Sequence, residues 1–220
     1  MTKGFFMTLE GPEGSGKTTV AKLLVERLEK EVEKSIVLPR EPGGIAIAEK
    51  IRDVILDVSH TMMDARTEAL LYAASRRQHL VEKVMPALTD GKVVVCDRFV
   101  DSSLAYQGYG RNIGVDNVWE MNQFAIADLM PQVTFYLDVP IEVGFERIYA
   151  NKDREINRLD LEKKEFHETV VEGYRQVIER FPERIIVINA NQAVEEVTEA
   201  IIQTLKQRFP DIFRTLKGGI

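Results

Sequence analysis

Cysteine is nearly missing from this chain. Cys96 stands alone, so no internal disulfide can form, which fits a reducing compartment. It lies in the apolar run Val93-Val94-Val95-Cys96 and reads as a small buried hydrophobe. Histidine is scarce too, and His60, His79 and His167 lack metal-ligand spacing, so they receive no role. There is no surplus of positive charge. With 29 Lys+Arg against 35 Asp+Glu the formal net charge is −6, the wrong balance for a protein that tracks a nucleic-acid polymer. A small anion fits as substrate if cations converge on one site. No apolar run approaches the roughly 18 residues of a spanning helix. The start, Met1-Thr2-Lys3-Gly4-Phe5-Phe6, has no signal-peptide cleavage pattern. The expectation is a cytoplasmic protein with no membrane partner. Low-complexity tracts and repeats of fixed period are also lacking. The 220 residues, 45% of them hydrophobic, are expected to form one domain, 1–220, whose core needs no metal or disulfide.

What the chain does carry is an alternation of short apolar runs with longer amphipathic stretches. Strands are expected at 5–9, 36–38, 93–96, 133–137 and 185–188. These runs are solid rather than alternating, as in strands covered on both faces, which predicts a parallel sheet between helices. Helices are expected at about 16–31, 46–57, 64–89, 115–129, 140–151, 161–181 and 193–208. Asp90-Gly91 marks the end of the third and Pro140 the start of the fifth. The order predicts an α/β fold: a five-stranded parallel sheet, doubly wound, in a three-layer sandwich, with ligands beyond the carboxyl ends of the strands.

Gly11-Pro12-Glu13-Gly14-Ser15-Gly16-Lys17-Thr18 matches the Walker A pattern between a strand and a helix, the context that gives such a match its meaning. The glycines let backbone N–H groups curl inward around phosphate oxygens, and the following helix adds its positive end. Lys17 is expected on the β- and γ-phosphates of ATP and Thr18 on Mg²⁺. The fold is therefore of the P-loop NTPase kind. A GTPase is disfavoured, because Asn151-Lys152-Asp153 has the wrong spacing for guanine recognition and follows no strand.

Asp97-Arg98-Phe99 closes the third strand. An acid there is the usual Mg²⁺-organising position beside a P-loop, and the fork of Arg98 suits a phosphate dianion. A phosphomonoester is mostly dianionic near pH 7 because its second pKa is about 6, so as acceptor it needs no strong general base. The obstacle is bringing two polyanions together. Arg40, Arg52, Arg76, Arg77, Arg98, Arg154 and Arg158 offer the cations. The variable cradle positions Pro12, Glu13 and Ser15 contain no arginine, so a cation for the transferring group must come from elsewhere. By itself the polar stretch 151–158 reads as a solvated connection. With that gap in the cradle it is expected to be a short mobile lid, about 151–160, carrying Arg154 and Arg158.

The run from Arg40 to Gly44, the run from Asp97 to Gln107 and the cradle, with Ala74-Ser75-Arg76-Arg77 and Asn157-Arg158-Leu159-Asp160, together resemble the bacterial thymidylate kinases over almost the whole chain. The resemblance implies transfer of the γ-phosphoryl group of ATP to dTMP with Mg²⁺, on the route to dTTP, in a homodimer packed through helices. By the same analogy Arg98, helped by Arg52, binds the dTMP phosphate. Tyr72 is similar to an aromatic stacked on thymine, Arg76 to a residue bonded to a base carbonyl, and Ser103 and Gln107 to residues near the base edge. Ser102 belongs to the same acceptor run. Tyr106 resembles the residue that crowds the sugar 2′ position, and Glu41 and Asp97 the carboxylates that organise Mg²⁺ and acceptor. Read without the analogy, Tyr72 is more readily core packing than a ligand contact. Arg76 and Arg77 point about 100° apart on a helix, so they cannot share a role. Ile45-Ala46-Ile47-Ala48 departs from the family's turn by being more apolar. A kinase for another nucleoside monophosphate, and a P-loop protein using ATP only as a switch, are the alternatives.

Overall fold

In a strand, alternate residues face opposite sides. In β1 (Phe5–Glu10), Phe5, Met7 and Leu9 enter one core and Phe6 the other. The same division applies to β3 (Val93–Asp97), where Val93 and Val95 part from Val94 and Cys96. A computed structural model describes residues 4–150 and 157–213. Its five strands, with β2 (Ile36–Val37), β4 (Val133–Asp138) and β5 (Ile185–Asn189), pair in parallel in the order β2-β3-β1-β4-β5. The solid apolar runs thus belong to a parallel sheet, as expected. β1 and β3 are buried throughout, whereas the edge strands β2 and β5 keep half-buried or exposed residues.

Helices α1 (Lys17–Leu28) and α9 (Val194–Arg208) cover one face through Val20, Leu24, Ile201 and Leu205. On the other lie α3 (Ala65–His79), α4 (Met85–Thr89), α5 (Val100–Ser103), α6 (Val115–Ile126) and α8 (Lys164–Arg180). Their core includes Leu88, Leu104, Val118 and Tyr174. α2 (Ala46–Leu56) packs on α3, and α7 (Ile141–Ala150) follows β4. The result is the expected three-layer, doubly wound α/β sandwich, with the chain reversing its winding at β1 and β3.

Apart from shifts of up to three residues at helix ends, as in α1, α6 and α8, two elements depart from the expected boundaries. The helix expected over 64–89 is interrupted by a π-helical stretch, Leu80–Val84, ahead of Pro86. Proline has no N–H to offer and its ring crowds the carbonyl four residues back, which a wider turn relieves. After β3 the run 100–110, left out of the expected helices, coils as α5 and a second π-helical stretch, Leu104–Gly110. Its glycines argue against a helix locally. Packing against α8 overrides that preference: a Cβ on Gly173 would lie 2.9 Å from the Ala105 carbonyl oxygen, so only a glycine allows the approach.

Candidate active site

The cradle occupies the carboxyl end of β1. Gly16 caps α1 in a left-handed conformation (φ 86°), and Gly14 is left-handed too (φ 73°). A Cβ on Gly14 would lie 2.1 Å from the Gly144 carbonyl oxygen of α7, so this turn needs glycine for both backbone and space. Lys17 Nζ donates to the Gly11 carbonyl (3.0 Å), the Pro12 carbonyl (2.8 Å) and Ser15 Oγ (3.1 Å). Burial, then the Arg98 charge, lowers the Lys17 pKa to about 8, which leaves an ammonium that gains from any phosphate beside it.

Asp97 ends β3 level with the cradle. Thr18 Oγ1 donates to Asp97 Oδ2 at 2.7 Å. Both offer hard oxygen donors, which is what Mg²⁺ takes. The next residue, Arg98, has φ 72°, a conformation that costs a non-glycine residue about 1–2 kcal/mol. Its guanidinium is heavily engaged. Nη2 meets Glu13 Oε1 at 2.6 Å and Tyr106 Oη at 3.5 Å; Nη1 donates to the Gly11 carbonyl (3.2 Å), Ser102 Oγ (3.1 Å) and Tyr174 Oη (3.2 Å). It also lies 5.2 Å from the centre of the Tyr106 ring.

Arg76 is buried at the back of the same site. Its Nε donates to Glu41 Oε2 (2.8 Å), its Nη1 to Ser103 Oγ (3.1 Å) and Asn122 Oδ1, and its Nη2 to the Phe99 carbonyl (3.0 Å). The second Glu41 oxygen meets His79 Nδ1 at 3.0 Å. Arg77 instead reaches the Ala125 carbonyl of α6 (3.3 Å), so the two adjacent arginines do part company as their helical spacing requires. A cleft of about 470 Å³ joins cradle and wall, lined among others by Lys17, Thr18, Glu41, Tyr72, Arg98 and Gln107. Its floor is therefore cationic at Lys17 and Arg98 and carboxylate-bearing at Asp97 and Glu41.

A family model described as Thymidylate kinase matches residues 9–201. The chain belongs to the thymidylate kinase family. It is 58% identical to the thymidylate kinase of Clostridium novyi (strain NT) over 206 residues, 94% of this chain and 100% of that relative. It is 56% identical to the thymidylate kinase of Bacillus thuringiensis (strain Al Hakam) over 206 residues, 94% and 99% of the two chains. The crystal structure of thymidylate kinase from Ehrlichia chaffeensis superposes with a TM-score of 0.74 at 31% identity, covering 92% of this chain and 98% of that one.

Not every expected site residue of this thymidylate kinase family member lines the cleft. Arg52, Tyr72, Arg76, Ser102, Ser103, Tyr106 and Gln107 do. Arg158 sits behind the wall. Its Nε donates to the Ile55 carbonyl (2.9 Å) and its Nη2 to buried Glu68, which also receives Gln107 Nε2 (2.8 Å) and Arg111 Nη2 (3.1 Å). Burial works against ionising Glu68, but Arg111, Gln107 and Arg158 outweigh it and hold its pKa below 4.5. Arg154, and lid positions 151–156, lie outside the described residues. Sequence reading passed over Glu10, Glu68, His79, Asn122 and Tyr174. Only Glu10 left a signal, as the one carboxylate in the apolar run before the cradle.

Proposed function

We propose that this site transfers the γ-phosphoryl group of ATP to dTMP, giving ADP and dTDP, on the route to dTTP. The observation that carries the reading is Arg98, whose guanidinium stands between the cradle residue Glu13 and the acceptor-side residues Ser102 and Tyr106. An oxygen of the dTMP phosphate attacks the γ-phosphorus, the bond to the β–γ bridging oxygen breaks, and ADP leaves with that electron pair. The acceptor is already a dianion, so no base has to remove a proton. What the chain supplies is cationic positioning: Lys17 and the cradle N–H groups on the donor, Arg98 with Arg52 on the acceptor. Pro12, Glu13, Ser15 and the cradle glycines shape the donor turn. Thr18 and Asp97 fit Mg²⁺ and would hold it, and a bound Mg²⁺ supplies charge neutralisation on the phosphates.

In this reading Tyr72 stacks on thymine while Ser103, Gln107 and Arg76 face its edge, and Tyr106 crowds the 2′ position. Burial holds the Tyr106 hydroxyl protonated, far above its usual range, so it stays neutral beside the sugar. Glu41 keeps Arg76 in place and borders the acceptor phosphate. The segment 151–160 acts as the lid of a single kinase unit, 1–220. Arg154 is its offered cation, and Arg158, engaged with Glu68, ties its root to α3. A cytoplasmic homodimer completes the reading. The apolar side chains of Leu70 on α3 (59% exposed) and Phe124 on α6 (91%) support packing through these helices.

Coupled ADP release with dTMP, dUMP, UMP, CMP and GMP tests the substrate. Turnover of CMP or GMP without dTMP would overturn it, and acceptor-independent turnover would return the switch alternative. Arg98→Ala is expected to raise KM for dTMP about 30-fold or more, because a desolvated phosphate loses its paired cation. Molar mass measured on the same preparation tests the dimer, which a single-chain value would remove.

A further inference from the structure

Glu10 takes no part in the reaction as described, yet it is buried at the point where donor and acceptor sides meet. It is the last residue of β1 and adjoins Gly11. On the pleat it shares a face with Phe6 and Thr8, toward α5 and α8 rather than toward α1. Its carboxylate collects four donors. Oε1 accepts the backbone N–H groups of Phe99 (2.7 Å) and Ser102 (3.3 Å); Oε2 accepts the hydroxyls of Ser102 (2.5 Å) and Tyr174 (3.0 Å).

Each of these contacts bears on Arg98. Phe99 N–H is the first donor after the left-handed Arg98 backbone, so the carboxylate rewards the turn that this strained residue makes. Ser102 Oγ and Tyr174 Oη are two of the three acceptors on Arg98 Nη1, and they lie 2.9 Å from each other. The third is the carbonyl of Gly11, the residue after Glu10. One carboxylate therefore fixes the backbone of Arg98 and the groups that aim its guanidinium. We propose that Glu10 is a positioning residue that presets Arg98 for the acceptor phosphate and ties it to the cradle. The inference rests on Arg98 receiving that phosphate.

The surroundings give the idea a pH signature. Burial, then the like charge of Asp101, raises Glu10 to about 7 against the pull of Arg98 and the hydrogen bonds from Ser102 and Phe99. Asp101 is itself held by a two-pronged contact from Arg184, at 2.7 Å on each oxygen. Tyr174 from α8, Tyr136 from β4, Lys17 from α1 and Cys96 from β3 are the other titratable groups that feel Glu10. Ionised Glu10 accepts all four donors, whereas a proton on it removes one acceptor. The ordered form of Arg98 therefore gains as pH rises through the Glu10 value.

The test is Glu10→Gln in the full chain, with the fold checked by circular dichroism. KM for dTMP is expected to rise at least fivefold, with KM for ATP within twofold. In the parent enzyme, kcat/KM for dTMP is expected to fall on the acid side with a midpoint of about 7, separable from the acceptor's own titration at about 6. The variant should lose the limb near 7 and keep the other. A smaller rise for dTMP, an equal rise for both substrates, or persistence of the limb overturns the inference. Arg98→Ala tells this failure from that of the phosphate assignment. No change there removes the assignment itself, whereas a large rise there with none in Glu10→Gln removes only the role of Glu10. If Glu10→Gln does not fold, Tyr174→Phe carries the test. It should raise KM for dTMP at least threefold without moving ATP, and no change overturns the proposal.

Discussion

Between Gly11 and Thr18 the cradle is one continuous run that turns on glycine conformations and on a helix start. The wall facing it is assembled from five places: Glu41 after β2, Tyr72 and Arg76 on α3, Arg98 after β3, Ser102 on α5, and Gln107 on the π-helical stretch. In the cradle the binding groups are mostly backbone N–H. In the wall they are side chains whose charges are matched in pairs: Arg76 with Glu41 within it, Arg98 with Glu13 of the cradle, and Arg158 with Glu68 just behind it. A backbone site tolerates change wherever the turn survives, while a matched-charge site fails when either partner goes. The donor side should therefore respond mainly in rate when its charged side chain is lost and in ATP affinity when its turn is disturbed, and the acceptor side in dTMP affinity and stability.

The sharpest test of that division is Lys17→Met. Loss of a preorganised cation on the transferring group is expected to lower kcat about 10²–10³-fold, with dTMP affinity by calorimetry within threefold. A comparable loss of dTMP affinity would break the separation of the two sides.

Glu68→Gln tests the wall from behind. Removing one partner of a buried ion pair costs about 3–5 kcal/mol, because Arg158 loses the carboxylate it is paired with, while Arg111 keeps Glu162. Chemical denaturation reads that loss directly. The sign with pH follows from the shift. Glu68 has a folded pKa below its ordinary 4.5, so its contribution is full above about pH 4.5 and fades as pH falls through the lower folded value. The parent should thus lose stability on acidification through that window more steeply than the variant. Equal slopes would mean that the pairing has no such role.

Gly144→Ala asks whether the cradle is as local as its sequence looks. A Cβ at 144 would sit 2.7 Å from the Glu13 carbonyl oxygen, an overpacking expected to cost about 1–3 kcal/mol. KM for ATP should rise more than KM for dTMP. The reverse would shift the contact's importance to Glu13 and the acceptor side.

Legibility followed the same division. The five strands, their parallel pairing and the cradle could be read because solid apolar runs and glycine spacing are local signals. Asp97 and Arg98 were legible from their place at a strand end beside the cradle, but the rest of the acceptor run only as a resemblance, since nothing in the spacing of Ser103 or Gln107 says what they face. The helix over 100–110 was missed because Gly108 and Gly110 lower local propensity and the packing with Gly173 lies far away in sequence. Arg158 was read as a cation for the reaction. Its engagement with Glu68 could not be foreseen, because 90 residues separate the partners.

The sequence by itself determined that a phosphate cradle follows the first strand, that its variable positions lack arginine, and that the sheet is parallel and covered. These follow from backbone conformation and burial, which short stretches of chain encode. Only the tertiary structure decided how the charges are shared: that Arg98 leans on Glu13 and on groups held by Glu10, that Arg76 is anchored by Glu41 and Asn122, and that Arg158 turns to Glu68. The physical reason is that a buried charge takes whichever partner packing brings within reach, and packing is a property of the whole fold.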